Sequence, residues 1–249
     1  TAVAIAAQVG ALRCDIYTDV DGIFTTDPKV VSNAKKLDSI TMEEMLELAG
    51  QGAKVMQTRA VEFANKYKVP VRVLSSFNDG NGTLITLKDE SMENASVSGI
   101  AFQKDQIKFT LHGVGDVPGT AFRILGPISD AEVEVDVIVQ NVSVDGKTDF
   151  TFTVSSEDED TVKKVLENVK NDISFKELIV DSNIAKVSLV GVGMRSQAGV
   201  ASKAFKALSE NDVNIQIICT SEIKITMVVE KDLVDKAVSV LHKEFELEK

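Results

Sequence analysis

Between Ile16 and Val31 an apolar run ends in a crowd of short polar side chains, IYTDVDGIFTTDPKVV. Hydroxyls and carboxylates come from Thr18, Asp19, Asp21, Thr25, Thr26 and Asp27, with Lys29 adding a positive charge. Such a loop at a strand end serves either inexpensive turn geometry, which Asp21-Gly22 and Asp27-Pro28 both favour, or an anionic ligand seated above it. A second cluster is GDVPG, Gly115 to Gly119. Here Asp116 is predicted at the start of a helix, with Pro118 and Gly119 shaping the approach. Helix N-termini offer unpaired N–H groups to a carboxylate, and Asp116 can take an ammonium, so the pair suits an α-amino acid. Gln140 and Asn141 end a strand and supply amides to fix such a ligand. Asp116 as an ordinary helix cap is the other reading. Glu43, Glu44 and Glu47 suggest a metal cluster, but TMEE at Thr41 to Glu44 is a capping box, and that with a solvated helix face explains them better; no metal site is expected.

The elements that must carry these residues alternate at first. AVAIAAQVGAL reads as a helix, RCDIYT as a strand, and TMEEMLELAG as a helix interrupted at Gly50-Gln51-Gly52. The helix is expected to resume through KVMQTRAVEFANKYK and to stop before Pro70, with VPVRVLSSF and GTLITL as buried strands. Helices between apolar strands indicate an α/β layer architecture. KDESMENAS, from Lys88, reads as a linker.

An internal repeat follows. GVGDVPGTAFRILGPISDAEVEVDVIVQN starts at Gly113, and GVGMRSQAGVASKAFKALSENDVNIQIICTS starts at Gly191. Beyond the loop the offset is a constant 80, pairing Val133, Val135, Val137 and Ile138 with Val213, Ile215, Ile217 and Ile218. Each copy continues through a strand, reached in the first by an Asp145-Gly146 hairpin signal, to an amphipathic helix. The order is β-α-β-β-α-β, the ferredoxin-like unit. The first copy closes with ELIVDS, whereas the second runs out of chain after its helix. VSGIAF, residues 97–102, is unclaimed and is expected to complete the second copy's sheet, interleaving the two. In the second copy Met194 replaces Asp116, and Asn214 and Ile215 are placed on the strand that follows.

The 249 residues carry a net charge of −11, and the charge is uneven. Residues 1–88 hold 10 basic and 10 acidic side chains, so all of the excess lies beyond them. An acidic surface repels phosphate backbones and anionic lipids, which makes nucleic acid and membrane poor partners. Cys14 and Cys219 lie in separate apolar runs, as expected of reduced core thiols in a cytoplasmic protein. The chain opens with a periodic apolar segment already under way and reads as the interior of a longer protein.

Three stretches, YTDVDGIFTTDPKVV, GAKVMQTRAVEFA and VPVRVLSSF…GTLI, followed by the repeat, resemble the aspartate kinase family. They are similar to the C-terminal part of an amino-acid-kinase lobe, and the repeat resembles paired ACT modules; GDVPG, QNVS and TSEIKI fit the regulatory part. The resemblance implies residues 1–88 as part of a nucleotide lobe, 95–182 as a first module and 183–249 as a second. It implies transfer of the γ-phosphoryl of ATP, with Mg2+, to the side-chain carboxylate of aspartate. Thr18, Asp19, Phe24, Lys29 and Lys54 become nucleotide contacts, with Asp19 accepting hydrogen bonds from the ribose or base side. Phe24 stands where the family often has Tyr, and Lys29 where Arg is common, a point charge in place of a fork. Asp116, Pro118, Gly119, Gln140, Asn141, Met194, Asn214 and Ile215 become effector contacts for lysine, threonine or both. A homodimer through the ACT modules, or a higher oligomer, is implied. No catalytic residue is expected among these 249, because the family's glycine-rich lysine motif and aspartate-binding residues are not here. The fragment alone is thus expected to be inactive. The other reading is a non-catalytic regulatory subunit or amino-acid sensor.

Overall fold

Alanine is the strongest helix former, and α1 (Ala2–Gln8) forms where it dominates, burying Val3 and Ala6. A computed structural model of the protein describes residues 1–87, 96–141, 146–170 and 172–249. After α1 come β1 (Cys14–Thr18), β2 (Ser39–Thr41), α2 (Met42–Gly50), α3 (Thr58–Tyr67), β3 (Val71–Ser75) and β4 (Thr83–Thr86). Then follow β5 (Gly99–Gly115), α4 (Thr120–Asp130), β6 (Val135–Gln140), β7 (Lys147–Ser155), α5 (Glu159–Val169) and β8 (Glu177–Val190). The last elements are α6 (Val200–Ser209), β9 (Ile217–Thr220), β10 (Lys224–Glu230) and α7 (Val234–Glu244). The chain divides into two units, Thr1–Gln103 with Lys186–Lys249, and Lys104–Ala185.

In the first unit a four-stranded sheet runs in the order β1-β3-β4-β2. β1 and β3 are parallel, β3 and β4 antiparallel, and β2 and β4 parallel. Its core includes Ile40, Met45, Val73 and Ile85, all fully buried. The capping box is present: the Thr41 side chain accepts the Glu44 N–H, and the Glu44 carboxylate reaches back to the Thr41 N–H. The expected continuation of this helix from Lys54 is not there. Gly52 sits at φ +108°, where a side chain would also overlap the Phe102 carbonyl; the chain turns, and α3 begins only at Thr58. The three-residue β2 was too short to carry a period that sequence could reveal. The same unit holds β8 from Lys186 onward, with β10 and β9 following it in the strand order, and α6 packs on α7. Ser98 N–H donates to Val190 O at 2.8 Å. Cys14 is buried, and burial pushes its thiol up. Cys219 departs from the expected core thiol: it is exposed on β9, which ends the strand order.

In the second unit β6, β7, β5 and β8 are neighbours in that order, and α4 packs on α5. Phe109, Phe150 and Phe152 fill its core, with Phe109 and Phe152 stacked at 5.5 Å between ring centroids. Two strands are longer than the sequence reading had them. VSGIAF, from Gly99 on, runs without a break into the first copy's opening strand as β5, and ELIVDS runs into the second copy's as β8. The linker reading, Lys88 to Ser96, falls outside the described residues but for Ser96, as does Asp145 of the hairpin signal; Gly146 has φ +67° and directly precedes β7.

Candidate functional sites

The polar loop begins where β1 ends. In open α/β sheets ligands gather at the carboxyl ends of parallel strands, and both Thr18 and Asp19 lie there. Local geometry already occupies part of the loop. Thr18 Oγ1 accepts the Val20 N–H at 3.2 Å. Asp27 Oδ1 accepts the Lys29 N–H at 2.8 Å, the turn expected of Asp-Pro. Asp21 Oδ1 accepts from the Asn78 amide at 3.0 Å, and that bond, then Ser75, holds its carboxyl below the ordinary value. This contact ties the loop after β1 to the loop after β3.

A cleft of about 140 Å3 opens between those loops, lined by Asp21, Lys36, Ser75, Asn78, Asp79, Gly80 and Gly82. None of the five nucleotide candidates lines it. The 78–82 loop was missed from sequence, although its Asn-Asp-Gly run was a visible turn signal. Gly82 is required there, at φ +61° and tight against the Val73 carbonyl. Asp19, Lys29 and Lys54 are exposed and Phe24 half-buried. Phe24 lies on the loop that closes against Lys36, and Lys54 on the turn between α2 and α3. Thr26 Oγ1 is buried with no hydrogen-bond partner among the described residues. A shallower hollow of about 570 Å3, lined by Leu12, Arg13, Asp15, Pro70 and Leu84, holds no candidate residue.

The solvated helix face that sequence suggested holds for Glu43, which is exposed, but not for Glu44, and Glu47 is half-buried. Glu44 is 0 % exposed. Its carboxylate accepts from Thr41 N at 3.2 Å, Thr41 Oγ1 at 2.8 Å, Ser98 Oγ at 2.6 Å and Val192 N at 2.9 Å. Around it, Glu43 pairs with Arg195 at 3.1 Å, Glu47 with Lys224 at 2.7 Å, and Gln51 accepts from Ser188 Oγ at 2.9 Å. One side of α2 is therefore fastened by polar contacts to β8, to the turn at Val192–Arg195 and to β10. Among the described residues no group of three His, Cys, Asp or Glu side chains is arranged to hold a metal ion.

In the first repeat the effector candidates share one end of the sheet. β5 ends at Gly115, which is paired with Lys147 at the start of β7. β6 ends at Gln140, paired with Phe150 near that same start. Asp116 N–H donates to Gly146 O at 2.9 Å, and Thr148 Oγ1 donates to Asn141 O. Asp116, Pro118, Gly119, Gln140 and Asn141 are all exposed. Asp116 does not cap α4; the cap position is Gly119, at φ +92°, a conformation that glycine alone adopts without strain. Asp116 lies three residues ahead of that cap, and no side chain caps the helix. A bulge in β6 at Val137, φ +26°, turns Ile138 outward, a device common beside functional sites.

The second repeat reproduces the loop: Gly199 caps α6 at φ +91°. Its candidates do not converge. Met194 lies in the turn after β8, where Gly191 N–H meets Ile223 O at 2.9 Å, beside the start of β10. Asn214 and Ile215 precede β9 rather than lying on it, and Gln216 N–H bonds Val228 O at 2.8 Å, near the end of β10. They therefore sit at the opposite end of the strand pair from Met194. The helix crossing returns the chain to the far end of the sheet before β9 runs back. The residues at Met194's end are Thr220 and Ser221, which the offset of 80 pairs with Gln140 and Asn141.

Residues 1–75 match the amino acid kinase family, and residues 111–173 and 187–245 each match the ACT domain. An aspartate kinase of Pseudomonas fluorescens is 58% identical over 249 residues, covering 100% of this chain and 60% of that protein. The chain thus spans about 60% of the length of the curated relatives it matches. Among solved structures, E. coli aspartokinase III is 30% identical over 98% of this chain and 54% of its own. The TM-score is 0.83 to its R-state with aspartate and ADP, and 0.76 to its T-state with lysine and aspartate. A chain from a structure of aspartokinase alpha and beta subunits is 44% identical, with a TM-score of 0.57, covering 60% of this chain and 99% of that one.

Proposed function

We propose, from the premise that this chain belongs to the aspartokinase family, that it is the carboxyl-terminal portion of an enzyme that phosphorylates the side-chain carboxylate of aspartate. That step opens lysine, threonine and methionine biosynthesis, and its phosphoryl donor is ATP in complex with Mg2+. Phosphoryl transfer rests on positioning and on positive charge about the moving group. Lys29 and Lys54 supply charge from the loop after β1 and the turn after α2, Asp19 meets the ribose or base, and Phe24 packs on the base. The remainder of the active site lies in an amino-terminal part, so these residues alone turn over no substrate.

The observation that carries the regulatory half is the glycine-capped helix start shared by both repeats, Gly119 and Gly199, with Asp116 ahead of the first. In that module the first turn of α4 receives the effector carboxylate, Asp116 its ammonium, and Gln140 and Asn141 its main-chain polar atoms. The effector is lysine, threonine or both; the lysine complex of the E. coli relative supports this class. Met194, Asn214 and Ile215 serve the second module from its two ends. We assign 1–88 to the kinase lobe, 95–182 to the first ACT module and 183–249 to the second. Residues 97–102 complete the second sheet, a reading that the Ser98–Val190 bond supports. The enzyme is a cytoplasmic dimer joined through its ACT modules; among the described residues no helix is long and apolar enough to cross a membrane.

A regulatory subunit is the second reading, favoured by the solved aspartokinase chain that matches only 60% of this one. The kinase-family match over residues 1–75 weighs against it. Calorimetric titration with lysine and threonine, singly and together, tests the effector site. Binding that is lost in Asp116→Ala is expected, and heat from neither amino acid would overturn the assignment. Acyl-phosphate formation by the full-length enzyme but not by residues 1–249 is expected, and activity of the fragment would refute the placement of the catalytic groups.

A further inference from the structure

His242 lies on α7, at the far end of the sequence from the polar loop, yet it is 1 % exposed and its Nε2 stands 2.9 Å from Thr25 Oγ1. Thr25 separates Phe24 from the Asp27–Lys29 turn, and all three of its polar groups are committed. Its N–H donates to Lys35 O at 2.9 Å, its O accepts from Ile100 N at 2.7 Å, and its Oγ1 accepts from Lys35 N at 3.1 Å. Beyond that bond the hydroxyl keeps its proton and a second lone pair, so it can pair with either tautomer of the ring. Nδ1 faces Glu248 Oε2 at 3.8 Å, which favours the proton on Nδ1 and leaves the Nε2 lone pair for Thr25. The hydroxyl thus clasps the two strands of the loop together from inside, and the imidazole fixes the rotamer in which it does so. Lys35 Nζ adds a second tie to the same region, donating to the Lys249 carbonyl at 2.6 Å. α7 in turn packs on α6, the helix that follows the second effector loop.

We propose that His242 is a positioning residue for the nucleotide loop: through Thr25 it holds the segment bearing Phe24 and Lys29 in the conformation that receives ATP. The inference rests on the kinase reading above, and it makes the last helix of a regulatory module a direct support of the nucleotide site. A buried histidine that only fills space would influence stability without discriminating between the two substrates.

The test uses the full-length enzyme, with ADP affinity by calorimetry and steady-state kinetics by trapping of the acyl phosphate. His242→Ala is expected to raise the ADP Kd and the KM for ATP about five- to tenfold, the loss of one buried hydrogen bond. The KM for aspartate and kcat should stay within about twofold. His242→Gln, whose amide nitrogen or oxygen reaches the Nε2 position, should recover most of the affinity. Thr25→Val, which keeps the shape but removes the hydroxyl and with it the acceptor of the Lys35 N–H, should cost at least as much as His242→Ala, and the double variant should be no worse than Thr25→Val. A folded His242→Ala enzyme with unchanged ADP Kd overturns the inference, as does a parallel change of both KM values and kcat in all variants. Should His242→Ala not fold, Thr25→Val decides by the same criteria. A wild-type enzyme that binds ADP but makes no acyl phosphate would refute the kinase reading instead, while the calorimetric comparison still decides the role of His242.

Discussion

Glu44→Gln keeps the volume of the side chain and one acceptor oxygen, so its cost isolates the hydrogen bonds. One carboxylate oxygen serves Ser98 Oγ and Val192 N, and the other serves Thr41 N and Thr41 Oγ1. An amide can satisfy one of these sides. If its oxygen faces Ser98 and Val192, its NH2 meets the Thr41 N–H donor to donor. The Thr41 hydroxyl can rotate to accept, but the N–H cannot. A buried donor left without a partner costs about 1–3 kcal/mol, and about 2 kcal/mol is expected here, since the surviving bonds also lose the charge of the acceptor. Glu44→Ala orphans Ser98, Val192 N and Thr41 N together and should cost about 4 kcal/mol. Urea unfolding monitored by circular dichroism reads both, and a loss of about 2 kcal/mol corresponds to a melting temperature lower by roughly 4–8 °C in a domain of this size. Ser98→Ala in the Glu44→Gln background should be non-additive by about 1 kcal/mol, because the two share one bond. A Glu44→Gln protein within about 0.5 kcal/mol of wild type would refute the reasoning, since that is the range of an ordinary surface change.

Burial holds the His242 ring below its ordinary value of 6.5, with Glu248 opposing the shift. As pH falls the unfolded chain therefore takes up this proton first. The contribution to stability is complete above about pH 6.5 and is lost below it, until the folded ring is itself protonated. Urea midpoints between about pH 5 and 7.5 should fall more steeply in wild type than in His242→Gln, and identical profiles would contradict the shift. Two glycines that bracket the loop between β8 and α6 should fail for different reasons. At Gly191 the backbone is extended, but a Cβ would run into the Ser96 carbonyl and Val97, so Gly191→Ala should cost about 1–3 kcal/mol through overpacking. Gly199 has open space around it but φ +91°; Gly199→Ala should cost about 1–2 kcal/mol from backbone strain alone. Thermal melts check both, and a neutral Gly191→Ala would argue against the close approach.

Much of the candidate site could be read locally. Thr41 and Glu44 lie three positions apart, and the capping box they imply forms because a helix start needs nothing distant. The two glycine-capped helices follow from a repeat visible by eye. The interruption at Gly50–Gly52 was legible as a break but not as a seven-residue turn, because the contact that forbids a side chain at Gly52 comes from Phe102. Asn214 and Ile215 were read as part of the strand after the helix but precede β9, since a constant offset between copies says which residues correspond and not where each strand begins.

Periodicity, caps and repeats are properties of neighbouring residues, so the chain by itself determined the alternating α/β segment, the duplicated modules and the turn chemistry of the polar loop. Burial and hydrogen-bond partnership depend on segments far apart along the chain. Only the tertiary structure decided that Glu44 is enclosed by Ser98 and Val192, that Cys219 faces outward, and that His242 reaches Thr25.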